Sequence, residues 1–185
     1  MEKERKQNIL KAAEKRFSRH GLNKTTLNEI ARDLRIGKAT IYHYFTTKED
    51  LFFQTIGWQI DSYIDELRTI FLNDQLPIKD KLFEYFNLKS SAYLKYKLIY
   101  EILYYTMKEE VSEKEAQLVK VLFDKETEFI KQYLIGKKEQ QNESAYILVL
   151  RSWGEMFSNK IKAATDPDKI LPKEELIKYI ESFNF

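Results

Sequence analysis

The sequence predicts an all-α fold: a small N-terminal three-helix bundle followed by a larger helical body. Three observations carry the prediction. Only five Gly and three Pro punctuate 185 residues, which favours long helices with few turns. Apolar residues recur three and four apart along most of the chain, the helical spacing. The stretch Thr26 to Phe45 reads as two short helices joined by a tight turn. With 43% hydrophobic residues, the chain can bury a sizeable core.

The first helix spans residues 3–20. Ile9, Leu10, Ala13 and Phe17 form its apolar stripe, with Lys and Arg around it. His20-Gly21 ends it, because glycine readily takes the left-handed conformation past a helix C-terminus. Lys3, Arg5 and Lys6 at its start can either contact a phosphate backbone or form a solvated charged face. The second helix opens at Thr26-Leu27-Asn28-Glu29, a capping box in which hydroxyl and carboxylate each serve the other residue's backbone N–H. Leu27, Ile30, Ala31 and Leu34 follow at helical spacing. Arg35-Ile36-Gly37 breaks the pattern, and a third helix carries Ile41 and Phe45 on one face. This is the layout of a helix-turn-helix, in which the second helix of the pair enters a DNA major groove. An ordinary helical pair with a solvated face has the same periodicity. The exposed side of the third helix carries Lys38, Thr40, Tyr42, His43 and Tyr44, a set able to meet phosphates and base edges.

Thr47 is the natural N-cap of a fourth helix, with Glu49 and Asp50 in its first turn. It continues to about Leu72, too long to serve the bundle alone, and reads as a strut between bundle and body. Asn73 to Pro77 is a turn. The next helical region, 78–109, is rich in Phe and Tyr and is expected to break once near Ser90 or Lys95. Ser112 and Glu115 form a second capping box, opening a helix to about Ile135, which Gly136 ends. A helix follows from Asn142 or Ser144 through Ala163. Asp166-Pro167-Asp168 is a turn, and Pro172 suits the first position of a last helix. The expected division is 1–47 and 48–185.

Composition narrows the chemistry. The chain has no cysteine and only two histidines, His20 and His43, so disulfides, thiolate chemistry and multi-histidine metal sites are excluded. No catalytic grouping, metal site or cofactor is expected. The charged N-terminus lacks a signal-peptide apolar region, and no stretch reaches the roughly 20 apolar residues of a membrane span. A cytoplasmic protein without membrane contact is expected. Residues 1–50 carry a net charge of +5 and the remainder −3. A basic head on a mildly acidic body fits a polyanion partner.

The stretch Gly21 to Leu51 resembles the DNA-binding domain of the TetR family of transcriptional regulators. The resemblance rests on Gly21, Thr25-Thr26, Ile30-Ala31, Thr40-Ile41-Tyr42, Phe45 and Lys48-Glu49-Asp50-Leu51, and with the first helix covers about the first 55 residues. It implies that Thr26, Tyr42 and Lys48 hold phosphates and that Lys38, Thr40, His43 and Tyr44 face the groove. Double-stranded DNA is the implied partner. Ile30, Ala31, Ile41 and Phe45 are implied to be core. There are departures. Arg35 stands where the family usually has Gly; if φ is positive there, the cost is on the order of 1 kcal/mol. Gly37 replaces the usual Ser cap, and the order His43-Tyr44 reverses the frequent Tyr-His, so no relative's operator carries over.

The resemblance further implies a C-terminal body that binds a small-molecule effector and pairs with a second copy in a homodimer. Expected interface residues are Leu148, Ser152, Met156, Ile177 and Ile180. Tyr93, Tyr96, Tyr100 and Tyr104 recur at three and four as one continuous stripe, either core or the wall of a cavity that Glu101 and Trp153 would join. Glu101 and Arg151 both interrupt apolar runs. A buried acid would suit a cationic lipophile and a buried Arg a carboxylate, unless they pair with each other or Arg151 with Glu155. The functional expectation is a ligand-responsive regulator, a repressor that binds a palindromic operator as a homodimer and is released by a small lipophilic ligand. The alternatives are an all-α binding protein or enzyme with an aromatic cavity, and a protein–protein adaptor.

Overall fold

The computed structural model describes residues 2–108, 111–135 and 142–165. Among these, the regular structure is entirely helical: α1 (Glu2–Lys24), α2 (Leu27–Asp33), α3 (Lys38–Tyr44), α4 (Lys48–Phe71), α5 (Ile78–Lys95), α6 (Lys97–Met107), α7 (Glu113–Ile130), a π-helical turn (Lys131–Ile135) and α8 (Asn142–Thr165). The expected Gly136 stop, the 166–168 turn and the last helix, with Ile177 and Ile180, lie outside the described residues. No described helix is long and apolar enough to cross a membrane.

The chain forms two compact units. One comprises Met1–Ser62 and Tyr96–Val119; the other comprises Tyr63–Lys95 and Lys120–Phe185.

In the first unit, Ile9, Leu10, Ala13 and Phe17 of α1 are buried with Leu27, Ile30 and Ala31 of α2, Ile41 and Phe45, and Leu51, Phe52 and Ile56 of α4. Phe17 and Phe52 meet edge to face with ring centroids 5.1 Å apart. The backbone leaves the helical conformation at Gly21, φ 72°, which glycine adopts without a Cβ penalty. Leu98, Ile99, Ile102 and Leu103 give α6 its buried face. Gln59, itself buried, donates to Glu14 Oε1 at 3.1 Å and accepts from the Ile99 N–H at 3.4 Å, tying α1, α4 and α6 together. Lys97 on α6 donates to the Ser18 carbonyl near the end of α1.

In the second unit, Tyr63, Ile64, Leu67 and Phe71 share a core with Leu82, Tyr85, Phe86 and Ala92 of α5, Leu122, Phe129 and Ile130 of α7, and Val149 and Trp153 of α8. The turn at Asn73 closes with the Leu76 N–H donating to the Asn73 carbonyl at 3.1 Å, and Lys81 Nζ donates to the Phe71 carbonyl at the end of α4 at 2.8 Å. Back in the first unit, the Ser112–Glu115 capping box forms as the sequence predicts: Glu115 Oε2 accepts from the Ser112 N–H at 2.8 Å, and Ser112 Oγ from the Glu115 N–H at 3.3 Å.

Candidate nucleic-acid interface

The helix-turn-helix is built by local chemistry. Thr26 Oγ1 accepts from the Glu29 N–H at 3.3 Å, and Glu29 Oε2 accepts from the Thr26 N–H at 2.9 Å, so the predicted capping box starts α2. These bonds hold the Glu29 carboxyl below its ordinary pKa. Arg16 of α1 clamps α2 by donating from Nε and Nη2 to the two Asp33 oxygens, each at 2.6 Å. That fork keeps the Asp33 carboxyl below the usual range. The chain turns at Arg35, φ 54°, the non-glycine left-handed residue anticipated at this position. Gly37 caps α3 with extended backbone and no side-chain bond.

This frame leaves one side of α3 in solvent. Lys38, Tyr42 and His43 are exposed and Thr40 is half-buried. Lys38 Nζ lies 5.4 Å from the Tyr42 ring centroid, and the His43 and Tyr44 rings meet edge to face at 5.0 Å. His43 Nε2 is 3.9 Å from the Glu2 carboxylate, both groups exposed. Tyr44 is half-buried and lines a surface groove with Glu2, Glu4, Arg5 and Asn8 of α1. At the start of α4, Thr47 Oγ1 caps the Asp50 N–H at 2.9 Å. Lys48 Nζ donates to the Leu22 carbonyl at 2.9 Å, with its two other N–H directions left for a further acceptor. Lys6 Nζ stands 5.5 Å from the Phe45 ring centroid.

The residues expected to line a ligand cavity are placed differently. The tyrosine stripe is not continuous: the helix breaks near Lys95, as anticipated, and Tyr96 takes φ −119° and ψ 53°. Tyr93 therefore ends up on α5 in the second unit, while Tyr96, Tyr100 and Tyr104 belong to the first. Tyr96 is buried and donates to the Ser62 carbonyl at 3.3 Å. Tyr100 and Tyr104 stack at 6.4 Å. Glu101 is half-buried and lies 3.7 Å from Lys97 on its own helix; desolvation raises its pKa and Lys97 opposes the rise. Arg151 is exposed, so the buried base weighed at this position is not found.

The residues of α8 expected at a dimer interface are placed within the chain's own core. Leu148, Ser152 and Met156 are buried inside their own unit, because the inward face of α8 is Leu148, Val149, Ser152, Trp153 and Met156. The outward face shows Tyr146 and Leu150, 46% and 42% exposed.

Sequence reasoning missed the most polar buried site. Glu126 on α7 is fully buried and accepts from Tyr63 Oη at 2.9 Å, Tyr85 Oη at 2.7 Å and Trp153 Nε1 at 2.9 Å. Lys89 on α5 is fully buried beside it, Nζ 2.6 Å from Glu126 Oε1. The signal was present: Lys89 falls within the apolar spacing Leu82, Tyr85, Phe86, Ala92, and Glu126 within Leu122, Phe129, Ile130. Of the earlier ligand candidates, Trp153 alone belongs to this cluster.

A helix-turn-helix whose second helix leaves one side in solvent is the layout of a DNA-binding module. Residues 9–55 match the family model described as bacterial regulatory proteins, tetR family. Over these residues the chain is similar to the DNA-binding domain of that family. Over 64 residues it is 39% identical to the HTH-type transcriptional regulator HbdR of Aromatoleum sp. (strain CIB), a match covering 35% of this chain and only 28% of that relative's length. The solved transcriptional regulator from Cytophaga hutchinsonii is 29% identical, with a TM-score of 0.64, covering 95% of this chain and 92% of that one. Reduced Escherichia coli NemR shares the fold at 15% identity and a TM-score of 0.71, covering 96% and 95% of the two chains.

Proposed function

We propose that the protein is a ligand-responsive transcriptional repressor that binds a palindromic operator as a homodimer in the cytoplasm and is released by a small lipophilic effector. Residues 1–47 act as the DNA-binding domain and 48–185 as the ligand-binding and dimerisation domain. The observation that supports this best is the exposed side of α3, with Lys38, Tyr42 and His43 in solvent above a helix pair locked by the Thr26–Glu29 box.

Thr26, Tyr42 and Lys48 hold phosphates, and Lys38, Thr40, His43 and Tyr44 face the groove. A twofold dimer sets two such helices about 34–36 Å apart, one turn of DNA. On α8 the protomer offers Tyr146 and Leu150 to the second copy. Release requires an effector that binds a DNA-incompetent conformation more tightly than the competent one. α4 carries that difference, since one continuous helix runs from the recognition head into the second unit.

Lys38→Ala tests the assignment directly. If Lys38 holds a phosphate, the variant weakens binding to all sequences and lowers the slope of log affinity against log salt by about one. If it reads a base, preference relaxes at one base pair. An unchanged affinity and slope would remove Lys38 from the interface.

A further inference from the structure

The Lys89 ammonium has its charge paired but makes no well-directed hydrogen bond. It lies 2.6 Å from Glu126 Oε1, yet off the hydrogen-bonding directions, and it meets no other acceptor. Its neighbours are ring faces, with Nζ 4.2 Å from the Trp153 centroid and 5.0 Å from that of Tyr85. Buried polar groups are nearly always hydrogen-bonded, and a buried cation with a single carboxylate neighbour and ring faces on its other sides is a costly exception that needs an explanation. Glu126, in contrast, is served by Tyr63, Tyr85 and Trp153 as well as the lysine. The cluster therefore lacks acceptors, not donors, and what it lacks is beside a cation.

We infer that Lys89 is the polar anchor of the effector site and that the effector is an apolar monocarboxylate whose oxygens supply the acceptors the ammonium lacks. This rests on the reading of the protein as an effector-controlled regulator. The aromatic faces around Nζ select an apolar body next to the charged end. Glu126, already surrounded by donors, leaves no room for a cationic ligand without expelling a tethered lysine. A single unserved cation calls for one carboxylate rather than two. The groups facing Nζ are Glu126 from α7, Tyr85 from α5 and Trp153 from α8; Tyr63 of α4 reaches it through Glu126, and Ser152 of α8 through Tyr85. Burial lowers the Lys89 pKa to about 7, with Glu126 opposing the shift. Above that pH, carboxylate binding should bring a proton onto Nζ.

The test is calorimetric titration of the full chain with decanoate, decanamide and decylamine, at about pH 6.5 and about pH 8.5, the latter in two buffers of different ionisation enthalpy. We expect saturable decanoate binding at least about tenfold tighter than either analogue, tighter at the lower pH, with proton uptake at the higher. Lys89→Met should lose about tenfold and abolish the uptake. Absence of saturable decanoate binding, preference for the amine, or wild-type affinity that ignores pH would overturn the inference. The pH arm needs only the wild-type protein, so it stands even if the variant fails to fold. A parallel DNA band shift separates the two readings: operator binding without decanoate binding defeats only the effector assignment, and the reverse defeats the regulator.

Discussion

Two residues sit in environments that oppose their chemistry. Arg35 holds φ 54° in the turn of the helix-turn-helix, where a Cβ is unfavourable. Arg35→Gly should raise stability by about 0.5–1 kcal/mol, read as an upward shift of the urea midpoint at unchanged slope. A lower midpoint would mean that the arginine side chain contributes more than its backbone costs. Lys89 is the second case. Its pKa falls from 10.5 to about 7 in the folded chain, so between these values the unfolded chain holds a proton that the folded one lacks. Stability therefore rises with pH across that window. The buried Tyr85 hydroxyl, whose pKa is raised by desolvation and then by Glu126, works against this above about pH 10. Lys89→Met should flatten the rise between about pH 7 and 9; parallel profiles for variant and wild type would contradict the assignment.

The elements show what the sequence could and could not carry. Both capping boxes, the turn at Arg35 and the break near Lys95 were legible, because each depends on residues within four positions of one another. The inward face of α8 was not legible. Its run YILVL is apolar on every side, so periodicity did not show that Leu148, Ser152 and Met156 point inward and Tyr146 and Leu150 outward. Lys89 and Glu126 were missed because they are 37 positions apart, and only the packing of α5 and α7 makes them partners. The acid singled out instead, Glu101, remains half-buried beside Lys97. At this scale Thr26→Ala should cost about 1 kcal/mol and lower DNA affinity together with stability. Thr26→Ser should keep the stability, because it retains the capping oxygen. Equal losses in both variants, measured by thermal melts, would show that the methyl group rather than the cap matters.

At the scale of the whole molecule, the proposed function needs two copies of the head on two half-sites. One seven-residue helix contacts few base pairs. Specificity then has to come from the fixed spacing of a twofold pair. The outward apolar residues of α8 provide a handle on that pairing: Leu150→Asp should shift the protein to monomer in sedimentation velocity and weaken operator binding, without changing the head. The most direct measurement is selection from a randomised DNA pool at low and moderate salt, with sequencing of what is retained. A twofold reader enriches a palindrome with half-site centres about one helical turn apart, still enriched at the higher salt. Sequence-blind retention that vanishes as salt rises would contradict it, leaving a basic surface rather than an operator-reading dimer.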